Sequence, residues 1–521
     1  MLRIHYQSES AGVEREFSIS LYHMRRLLVV LALFLVTACK PAKESQDTEI
    51  SLFHETYRPQ FHFSPPSGWM NDPNGMVYYD GEYHLFYQHY PDSTVWGPMH
   101  WGHAISKDLI HWEHLPIALY PDSLGYIFSG SAVVDWKNSS GLGQEGVPPL
   151  VAIFTYHDPI AAQKNHNDFQ TQGIAYSLDK GRTWKKYEHN PVLPNPGIID
   201  FRDPKVSWSE LINQWVMALA VKDHIEFYSS ANLKTWEKLS EFGKELGAHG
   251  GVWECPDLFP LKDESGNIKW VLFVSINPGG PQGGSATQYF VGDFDGQKFI
   301  PQDTLTRWID HGPDNYAGVT WSDIPPGDGR RLFLGWMSNW AYGQAVPTET
   351  WRSAMTLPRE ITLIKNKNTW ELKFAPVREL KNIEGNPQHF ADSTGLDNPL
   401  AKISFDVSDS SQSFTLTMSN NMSEKIIISL NQGVLSFDRR TSGVTSFSIN
   451  FPAIHALNVS DIIVRTLDIY VDAASVEVFI NGGERVLTEI VFPTAPYNTV
   501  HLVKVDPQFT VSSISSIWRQ N

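Results

Sequence analysis

From about residue 51 to residue 365 the chain is a series of short apolar runs separated by turn residues, without long helical periodicity. Val77–Tyr79 and Tyr83–Tyr87 flank Asp80-Gly81, a pattern that indicates a β-hairpin. Further runs of this kind are Val151–Thr155, Trp215–Leu219, Trp270–Val274 and Leu332–Trp336. The region therefore predicts an all-β domain over residues 51–365.

A degenerate repeat recurs within this region. Ser106–Trp112, Ser177–Trp184 and Ser230–Trp236 each follow an apolar run and carry Ser, then Asp or Asn, then Trp. The short polar side chain can turn the chain by bonding to its own backbone, and the Trp can pin the turn against the next strand. Repeats spaced by tens of residues in an all-β segment predict propeller blades. Unrelated hairpins that share turn chemistry are the alternative.

The sequence changes character after Lys365–Asn368, a polar and charged run. We predict a linker over residues 366–385 and a second domain over residues 386–521, in which Trp and His are scarce. Alternating or apolar runs in this domain are Ile403–Val407, Ser413–Thr417, Lys425–Leu430, Leu467–Val471 and Val476–Ile480. Half-buried strands of this type, with a hairpin turn at Asn481–Gly483, predict a β-sandwich.

Composition limits the ligands that such a chain can bind. Aromatic residues make up 12% of the 521 residues and include 18 Trp, and Trp-rich surfaces stack on sugars or on nucleobases. The formal net charge is −16 and no dense Lys/Arg run occurs. Since a nucleic-acid binder needs a cationic surface, the composition argues against nucleic acid and favours a neutral substrate.

The N-terminal region carries an export signal. Met24–Arg26 precedes the apolar run Leu27–Val36, which has the length of a signal-peptide core and is too short to span a bilayer. Val36–Cys39 resembles a bacterial lipobox, which implies cleavage before Cys39 and lipidation of that residue. We predict a signal peptide and lipobox over residues 1–39, with Met24 as an alternative start, a tether over residues 40–50, and anchoring to a bacterial membrane on its periplasmic or cell-surface face. An ordinary signal peptide with an incidental Cys is the alternative.

Two Asp residues precede Pro residues in unusual contexts. Pro73 biases Asp72 towards extended backbone, so we expect Asp72 at the end of a first strand, where side chains line a propeller's central funnel. Asp203 precedes Pro204 and follows Arg202, which could pair with a neighbouring carboxylate and hold it ionised. From the residues alone, a surface turn and a structural salt bridge remain equally good interpretations of the two sites.

Glu254 is the third candidate carboxyl. Trp253, Cys255 and Pro256 solvate a charge weakly, so desolvation is expected to raise the pKa of Glu254, as a general acid requires; a strand-end Glu facing water is the alternative. Glycoside hydrolysis uses two carboxyl groups about the scissile bond, one ionised and one protonated near neutral pH. Aromatic candidates for sugar stacking are Trp69, Trp96, Phe128, Trp253, Trp336 and Trp340.

Four motifs resemble, in order, those of glycoside hydrolase family 32, which contains invertases, inulinases and levanases. They are Trp69–Gly75, Phe128–Ser131, Phe201–Pro204 and Trp253–Pro256. The intervening stretches Val95–His103, Gly335–Trp340 and Trp351–Met355 are also similar to the family. The match is strong over residues 55–365 and looks closest to bacterial levanases and fructan β-fructosidases, while Val476–Asn481 resembles the family's C-terminal sandwich.

The resemblance implies a five-bladed β-propeller followed by a β-sandwich, and a retaining, exo-acting release of fructose from levan, inulin or sucrose-type substrates. Asp72 would be the nucleophile, Glu254 the general acid/base, and Asp203 the group that holds fructose hydroxyls. Cys255 would sit behind Glu254 as a small buried residue. The residues that would line the fructose subsite are Asn71, Gln88, Trp96, Phe128, Ser129, Ser131, Arg202 and Trp340.

One departure and several alternatives remain. Asn315 stands where the family commonly has an aromatic residue, which puts local packing or the leaving-group subsite in doubt. Sialidase-like propellers, inverting arabinan-cleaving propellers and a non-catalytic glycan-binding lipoprotein are the competing functions. We expect no cofactor and no metal, because His157, His166 and His249 lack metal-ligand spacing and no Gly-rich phosphate loop is present. These three His residues are instead interpreted as loop or subsite residues.

Overall fold

The computed structural model describes residues 53–407, 413–505 and 508–518. The predicted signal peptide, the lipobox with Cys39 and the tether lie outside these described residues. Regular structure in the described ranges is almost entirely strand, apart from the short helix α1 (Pro159–Gln163) and a 3-10 helix at Arg378–Asn382. None of the helices in these ranges has the length and apolar character needed to cross a membrane.

Residues 68–376 form five sheets. The first blade holds β1 (Gly68–Tyr79), β2 (Glu82–Tyr90), β3 (His100–Ser106) and β4 (Trp112–Leu119). The second holds β5 (Tyr126–Val134), β6 (Leu150–His157), β7 (Gln170–Ser177) and β8 (Lys185–Lys186). The third holds β9 (Phe201–Ser209), β10 (Gln214–Val221), β11 (His224–Ser230) and β12 (Glu237–Phe242).

The fourth blade holds β13 (Val252–Lys262), β14 (Ile268–Asn277), β15 (Ala286–Phe294), β16 (Phe299–Pro301) and β17 (Arg307–Trp308). The remaining propeller strands are β18 (Tyr316–Thr320), β19 (Arg331–Met337), β20 (Trp351–Arg352), β21 (Ala354–Met355), β22 (Arg359–Asn366) and β23 (Thr369–Pro376). All of them except β20 form the fifth blade. Strand β20 instead pairs in parallel with β1 of the first blade.

The first strand of each blade faces the propeller axis. Strand β1 contacts β5, β5 contacts β9, β9 contacts β13, β13 contacts β18, and β18 contacts β1, which closes a ring of five. The predicted five-bladed propeller is therefore confirmed.

The predicted repeat corresponds to one turn of each of the first three blades. Its Ser is the last residue of the third strand, and its Trp lies at or directly before the fourth strand. In the second blade, Asp179 Oδ1 accepts from the backbone N–H of Thr183 (2.9 Å), and Trp184 Nε1 donates to the Gly181 carbonyl (3.0 Å). In the third blade, Trp236 bonds in the same way to Leu233. The repeat is thus a blade signature built from turn chemistry.

The fifth blade extends beyond the boundary expected from the sequence. Thr369–Pro376, which falls in the predicted linker, is strand β23 and pairs with β22 along its whole length. The polar run Lys365–Asn368 closes this hairpin, because Lys365 and Asn366 end β22 and Lys367-Asn368 is the turn, while Leu372 and Phe374 are buried. A hairpin turn and a linker can have the same polar composition, and only the backbone pairing of the flanking strands distinguishes the two.

The C-terminal domain is a sandwich of two six-stranded sheets. One sheet has the order β24 (Gln388–Phe390), β35 (Phe509–Ser513), β26 (Ala401–Asp406), β31 (Thr466–Asp472), β32 (Ser475–Ile480) and β33 (Arg485–Ile490). The other has the order β25 (Ser393–Gly395), β34 (Thr499–Val503), β27 (Phe414–Ser419), β28 (Lys425–Asn431), β29 (Val434–Thr441) and β30 (Ile454–Asn458). Apolar side chains of both sheets form one buried core, which confirms the predicted sandwich.

Buried ion pairs join the two domains. Arg359 on β22 donates to Glu477 of the sandwich (2.6 Å) and to Asp310 (2.9 Å). Arg439 of the sandwich donates to Asp314 of the propeller (2.6 Å). All five side chains are buried, so loss of one partner would leave an uncompensated charge in the interior. The interface therefore fixes the two domains against each other.

His62 is part of this interface and titrates far from its usual range. Its Nδ1 lies 2.8 Å from Asp472 and its Nε2 lies 2.9 Å from Glu477, so both ring nitrogens face carboxylates. Burial alone would lower the pKa of His62, but the hydrogen bonds and charges of these carboxylates outweigh it and raise the pKa to about 9. The structure therefore contains a buried imidazolium.

We expect the free energy of unfolding to fall by on the order of 3 kcal/mol between about pH 6.5 and pH 9, because unfolded His loses its proton near 6.5. The contribution of His62 is complete below pH 6.5 and is lost as the pH rises through about 9. Urea unfolding at a series of pH values measures it. The variant His62→Gln should lack this slope, and a flat profile for the parent chain would contradict the assignment.

Candidate active site

A cavity lies where the inner strands of the propeller begin. Its lining residues are Asn71, Asp72, Gln88, Trp96, Phe128, Ser129, Arg202, Asp203, Glu254 and Trp340. All ten were singled out from the sequence. Ser131, by contrast, does not line this cavity, because its hydroxyl donates to the Pro204 carbonyl (2.9 Å) and accepts from the Val206 N–H (3.0 Å). Ser131 thus ties β5 to β9.

Asp72 lies in the first half of β1, rather than at the end of the strand. The pairing of β1 with β2 shifts between Met70 and Pro73, where Pro has no N–H to offer the ladder. Asp72 accepts from Ser129 Oγ (2.6 Å) and from Asn71 Nδ2 (2.8 Å). Burial and the charge of Glu254 raise the pKa of Asp72, while these two hydrogen bonds oppose the rise. The carboxylate is therefore oriented by two donors.

Asp203 lies at the start of β9 and is almost completely buried. Its Oδ2 accepts from the backbone N–H of Cys255 (3.1 Å). Burial raises the pKa of Asp203 to about 7, with Arg202 opposing the rise and the charges of Glu254 and Asp72 adding to it. The carboxyl groups of Asp72, Asp203 and Glu254 thus lie close enough to repel one another, which costs stability whenever all three are ionised.

Glu254 lies at the start of β13 and has polar neighbours on both oxygens. Arg202 donates to Oε1 through Nε (3.1 Å) and Nη2 (2.9 Å), and the Tyr316 hydroxyl donates to Oε2. Trp253, the preceding residue, is buried between the third and fourth blades instead. Adjacent side chains of a strand point to opposite faces, so the apolar surroundings expected from the sequence are not found.

Cys255 lies between the two aspartates. Its Sγ is 3.6 Å from Oδ2 of Asp72 and 3.6 Å from Oδ2 of Asp203, and its backbone has a φ of 45°. Burial and the neighbouring carboxylates raise the pKa of this thiol well above its usual value. Cys255 is therefore a neutral thiol that packs behind both aspartates, whereas the family resemblance implied a position behind Glu254.

Two residues at this site, Tyr316 and Asp200, had no role assigned from the sequence, and His157 had only been interpreted as a loop or subsite residue. Tyr316 bonds to Glu254, Asp200 pairs with Arg202 (2.5 Å), and the His157 ring stacks on Phe128 at 4.3 Å. Tyr316 belongs to the Asp-Asn-Tyr-Ala stretch that was noted for its departure at Asn315, so a signal was present. The stacking of His157 on Phe128 depends on the pairing of β5 with β6, so no sequence pattern indicated this particular contact.

Asn315 points away from the cavity. Its Nδ2 donates to Asp310 Oδ2 (3.1 Å), and Asp310 in turn bonds to Arg359 and to Thr488 of the sandwich. The polar residue therefore contributes to the network between the domains. The departure therefore affects local packing, and Asn315 is not among the residues that line the cavity.

We expect Asp203→Asn to raise the free energy of unfolding at pH 7 by on the order of 1–3 kcal/mol. Asp203 has a pKa of about 7 in the folded chain and about 3.9 when unfolded, so its ionisation destabilises the fold as the pH rises between these values. Urea unfolding at pH 5 and pH 7 measures this effect, with Asp293→Asn on the exposed side of β15 as control. Unchanged or reduced stability at pH 7 would contradict the charge crowding.

The fold and the site together define a class: a five-bladed propeller with three funnel carboxyls, followed by a sandwich, is the architecture of a propeller glycoside hydrolase. Family models bear this out. The model for the glycosyl hydrolases family 32 N-terminal domain matches residues 62–376, and the model for the family 32 C-terminal domain matches residues 372–518. The chain belongs to glycoside hydrolase family 32.

Individual relatives agree with the family models. A levanase from Bacillus subtilis is 45% identical over 95% of this chain and 76% of its own length. An extracellular exo-inulinase from Aspergillus ficuum is 39% identical over 89% of this chain and 96% of its own length. The crystal structure of an exo-inulinase from Aspergillus awamori has a TM-score of 0.82 at 36% identity, and covers 89% of this chain and 100% of that one.

Proposed function

We propose that this protein is a retaining, exo-acting β-fructofuranosidase that releases fructose from levan, inulin or sucrose-type substrates. The observation that carries the proposal is the convergence of Asp72, Asp203 and Glu254 on one cavity at the start of the inner strands. Relatives named levanase, exo-inulinase and invertase support fructose as the sugar. A solved β-fructofuranosidase from Schwanniomyces occidentalis with bound fructosyl-erythritol, 34% identical with a TM-score of 0.79, also supports it.

In the first step, Asp72 attacks the anomeric carbon of a terminal fructosyl unit and the bond to the leaving oxygen breaks. Glu254 gives its proton to that oxygen. Ser129 and Asn71, which donate to Asp72, hold the attacking carboxylate in place. In the second step, Glu254 removes a proton from water, which displaces Asp72 and returns it as a carboxylate.

The remaining residues bind the fructosyl unit or orient the carboxyl group of the general acid, Glu254. Asp203 accepts hydrogen bonds from fructose hydroxyls and stabilises positive charge at the anomeric centre. Arg202 and Tyr316 orient the Glu254 carboxyl. Gln88 has a buried Nε2 without a partner in the described part of the chain, which suits a donor for a sugar hydroxyl. Trp96, Phe128 and Trp340 provide the aromatic walls.

The protein is proposed to act outside the cytoplasm. The Aspergillus relatives are named extracellular, which supports export of this chain. We propose further that cleavage before Cys39 leaves a lipid-anchored enzyme, with residues 40–50 as the tether. We propose the domain limits given from the sequence, with strand β23 added to the propeller.

A product profile tests the proposed function. Purified protein is incubated with levan, inulin and sucrose, and the products are separated over time. Exo action predicts fructose as the first and dominant product from each polysaccharide. Release of oligosaccharides before free fructose would overturn exo action, and no fructose from any of the three substrates would overturn the proposed function.

A further inference from the structure

A second cavity, of about 610 Å³, lies at the other end of the inner strands. Strand β5 begins near the active site with Phe128 and Ser129 and reaches this cavity at Val133. Strand β9 passes likewise from Asp203 to Ser207. Four residues of strand span about 13 Å, so the two cavities open towards opposite ends of the propeller.

Indole rings dominate the wall of the second cavity. Trp136, Trp208, Trp215 and Trp270 all line it. Trp136 is 62% exposed, yet its Nε1 donates to Asp323 Oδ1 (2.9 Å) and its ring lies 5.8 Å from that of Tyr79. An exposed indole that is held in place offers a flat apolar face at little entropic cost, which is what stacking on a sugar ring requires.

The charges around this cavity are compensated within the chain. The Lys205 ammonium lies 3.2 Å from Asp257, and the negative charges of Asp257 and Asp323 both favour the charged form of the half-buried Arg331. The Lys137 ammonium lies 4.1 Å from the centre of the Trp208 ring. The ionisable groups of the lining are three basic residues (Lys137, Lys205 and Arg331) and four acidic ones (Asp135, Glu210, Asp257 and Asp323). With charges so nearly balanced, the cavity favours a neutral ligand over a phosphate or a polyanion.

Polar groups of the wall also lack partners. Asp257 Oδ1, Ser209 Oγ and Trp208 Nε1 are buried and accept or donate no hydrogen bond within the described part of the chain. A ligand site usually combines apolar walls with a few polar groups that fix orientation. Aromatic faces, unpaired polar groups and balanced charge together match a polyhydroxylated, neutral molecule.

We propose that this cavity is a second glycan site, which binds an internal segment of a neutral fructan chain while the active site acts on chain ends. The choice of fructan rests on the proposed function. The exposed face of Trp136 carries the stacking, and the rim is completed by Leu211, which is 59% exposed. The site would hold the enzyme on its polymeric substrate.

Native gel electrophoresis through levan or inulin tests this proposal. The variant Trp136→Ala, and Leu211→Glu as a second variant that alters only the exposed rim, are compared with the parent and with Ile449→Ala, which changes a 93% exposed side chain of the sandwich. All four are made in the Asp72→Asn background so that the polymer survives. We expect both cavity variants to bind the polysaccharide about three- to tenfold more weakly than the parent, and Ile449→Ala to match the parent.

Sucrose hydrolysis by the same variants with Asp72 intact distinguishes failure of the second glycan site from failure of the proposed function. The proposal expects sucrose turnover to be unchanged by Trp136→Ala and Leu211→Glu, because both lie at the other end of the propeller. If the parent cleaves sucrose and all variants are retarded equally by the polysaccharides, the second glycan site is overturned. If the parent does not cleave sucrose, the proposed function fails instead.

Discussion

Replacing Asp72 with Asn is expected to lower turnover of sucrose and of fructans by on the order of 10⁴-fold or more. The amide has nearly the same shape and can keep the hydrogen bonds from Ser129 and Asn71, with one of them needing rearrangement, but it cannot attack the anomeric carbon. The loss should appear in turnover at saturating substrate. Initial rates of fructose release measure it.

Two comparisons make this result specific to Asp72. The variant Asp293→Asn removes an exposed carboxylate of the fourth blade and should retain full turnover. The fold of Asp72→Asn should be intact in thermal unfolding, because removing one of three crowded charges relieves repulsion. Turnover within tenfold of the parent, in a preparation free of parent enzyme, would show that Asp72 is not the nucleophile.

Replacing Glu254 with Ala is expected to lower turnover of sucrose by about 10²–10⁴-fold, the usual contribution of general acid–base catalysis. The loss in the first step should be much smaller for an aryl fructofuranoside with a good leaving group, because that oxygen needs no proton. The second step still lacks its base, so a burst of released phenol followed by slow turnover is expected. Stopped-flow absorbance measures both phases.

Exposed Glu237 at the start of β12 gives the matched control, and Glu237→Ala should behave as the parent on both substrates. Azide should accelerate the slow phase of Glu254→Ala, because this anion needs no general base. Equal losses on good and poor leaving groups, without a burst, would contradict the acid/base role and would assign Glu254 to binding alone.

Local chemistry made much of the architecture predictable. The Ser-to-Trp repeat indicated blades because each copy builds the same turn, and alternating runs such as Val476–Ile480 indicated the sandwich. The propeller boundary was harder to predict, because Lys365–Asn368 is polar whether it forms a hairpin turn or a linker. Only the pairing of β23 with β22 distinguishes the two.

The candidate site was predictable where a residue belongs to a motif, and less so where contacts come from distant strands. Asp72, Asp203 and Glu254 were identified through ordered motifs that resemble the family. The partners that set their electrostatics come from other blades: Arg202 and Tyr316 are separated from Glu254 by 52 and 62 positions in the chain. Sequence context therefore suggested apolar surroundings for Glu254, whereas the structure provides a guanidinium and a phenol.

Mass spectrometry of the Asp72 peptide tests directly whether Asp72 forms a covalent bond to fructose during catalysis. Glu254→Ala is mixed with an aryl β-fructofuranoside, quenched with acid during the slow phase, and digested with a protease. We expect the peptide containing Asp72 to become one fructosyl unit heavier, with fragmentation placing the sugar on that carboxylate. An unmodified Asp72 peptide during a demonstrated burst, or a fructosyl unit on another residue, would contradict the double displacement through Asp72.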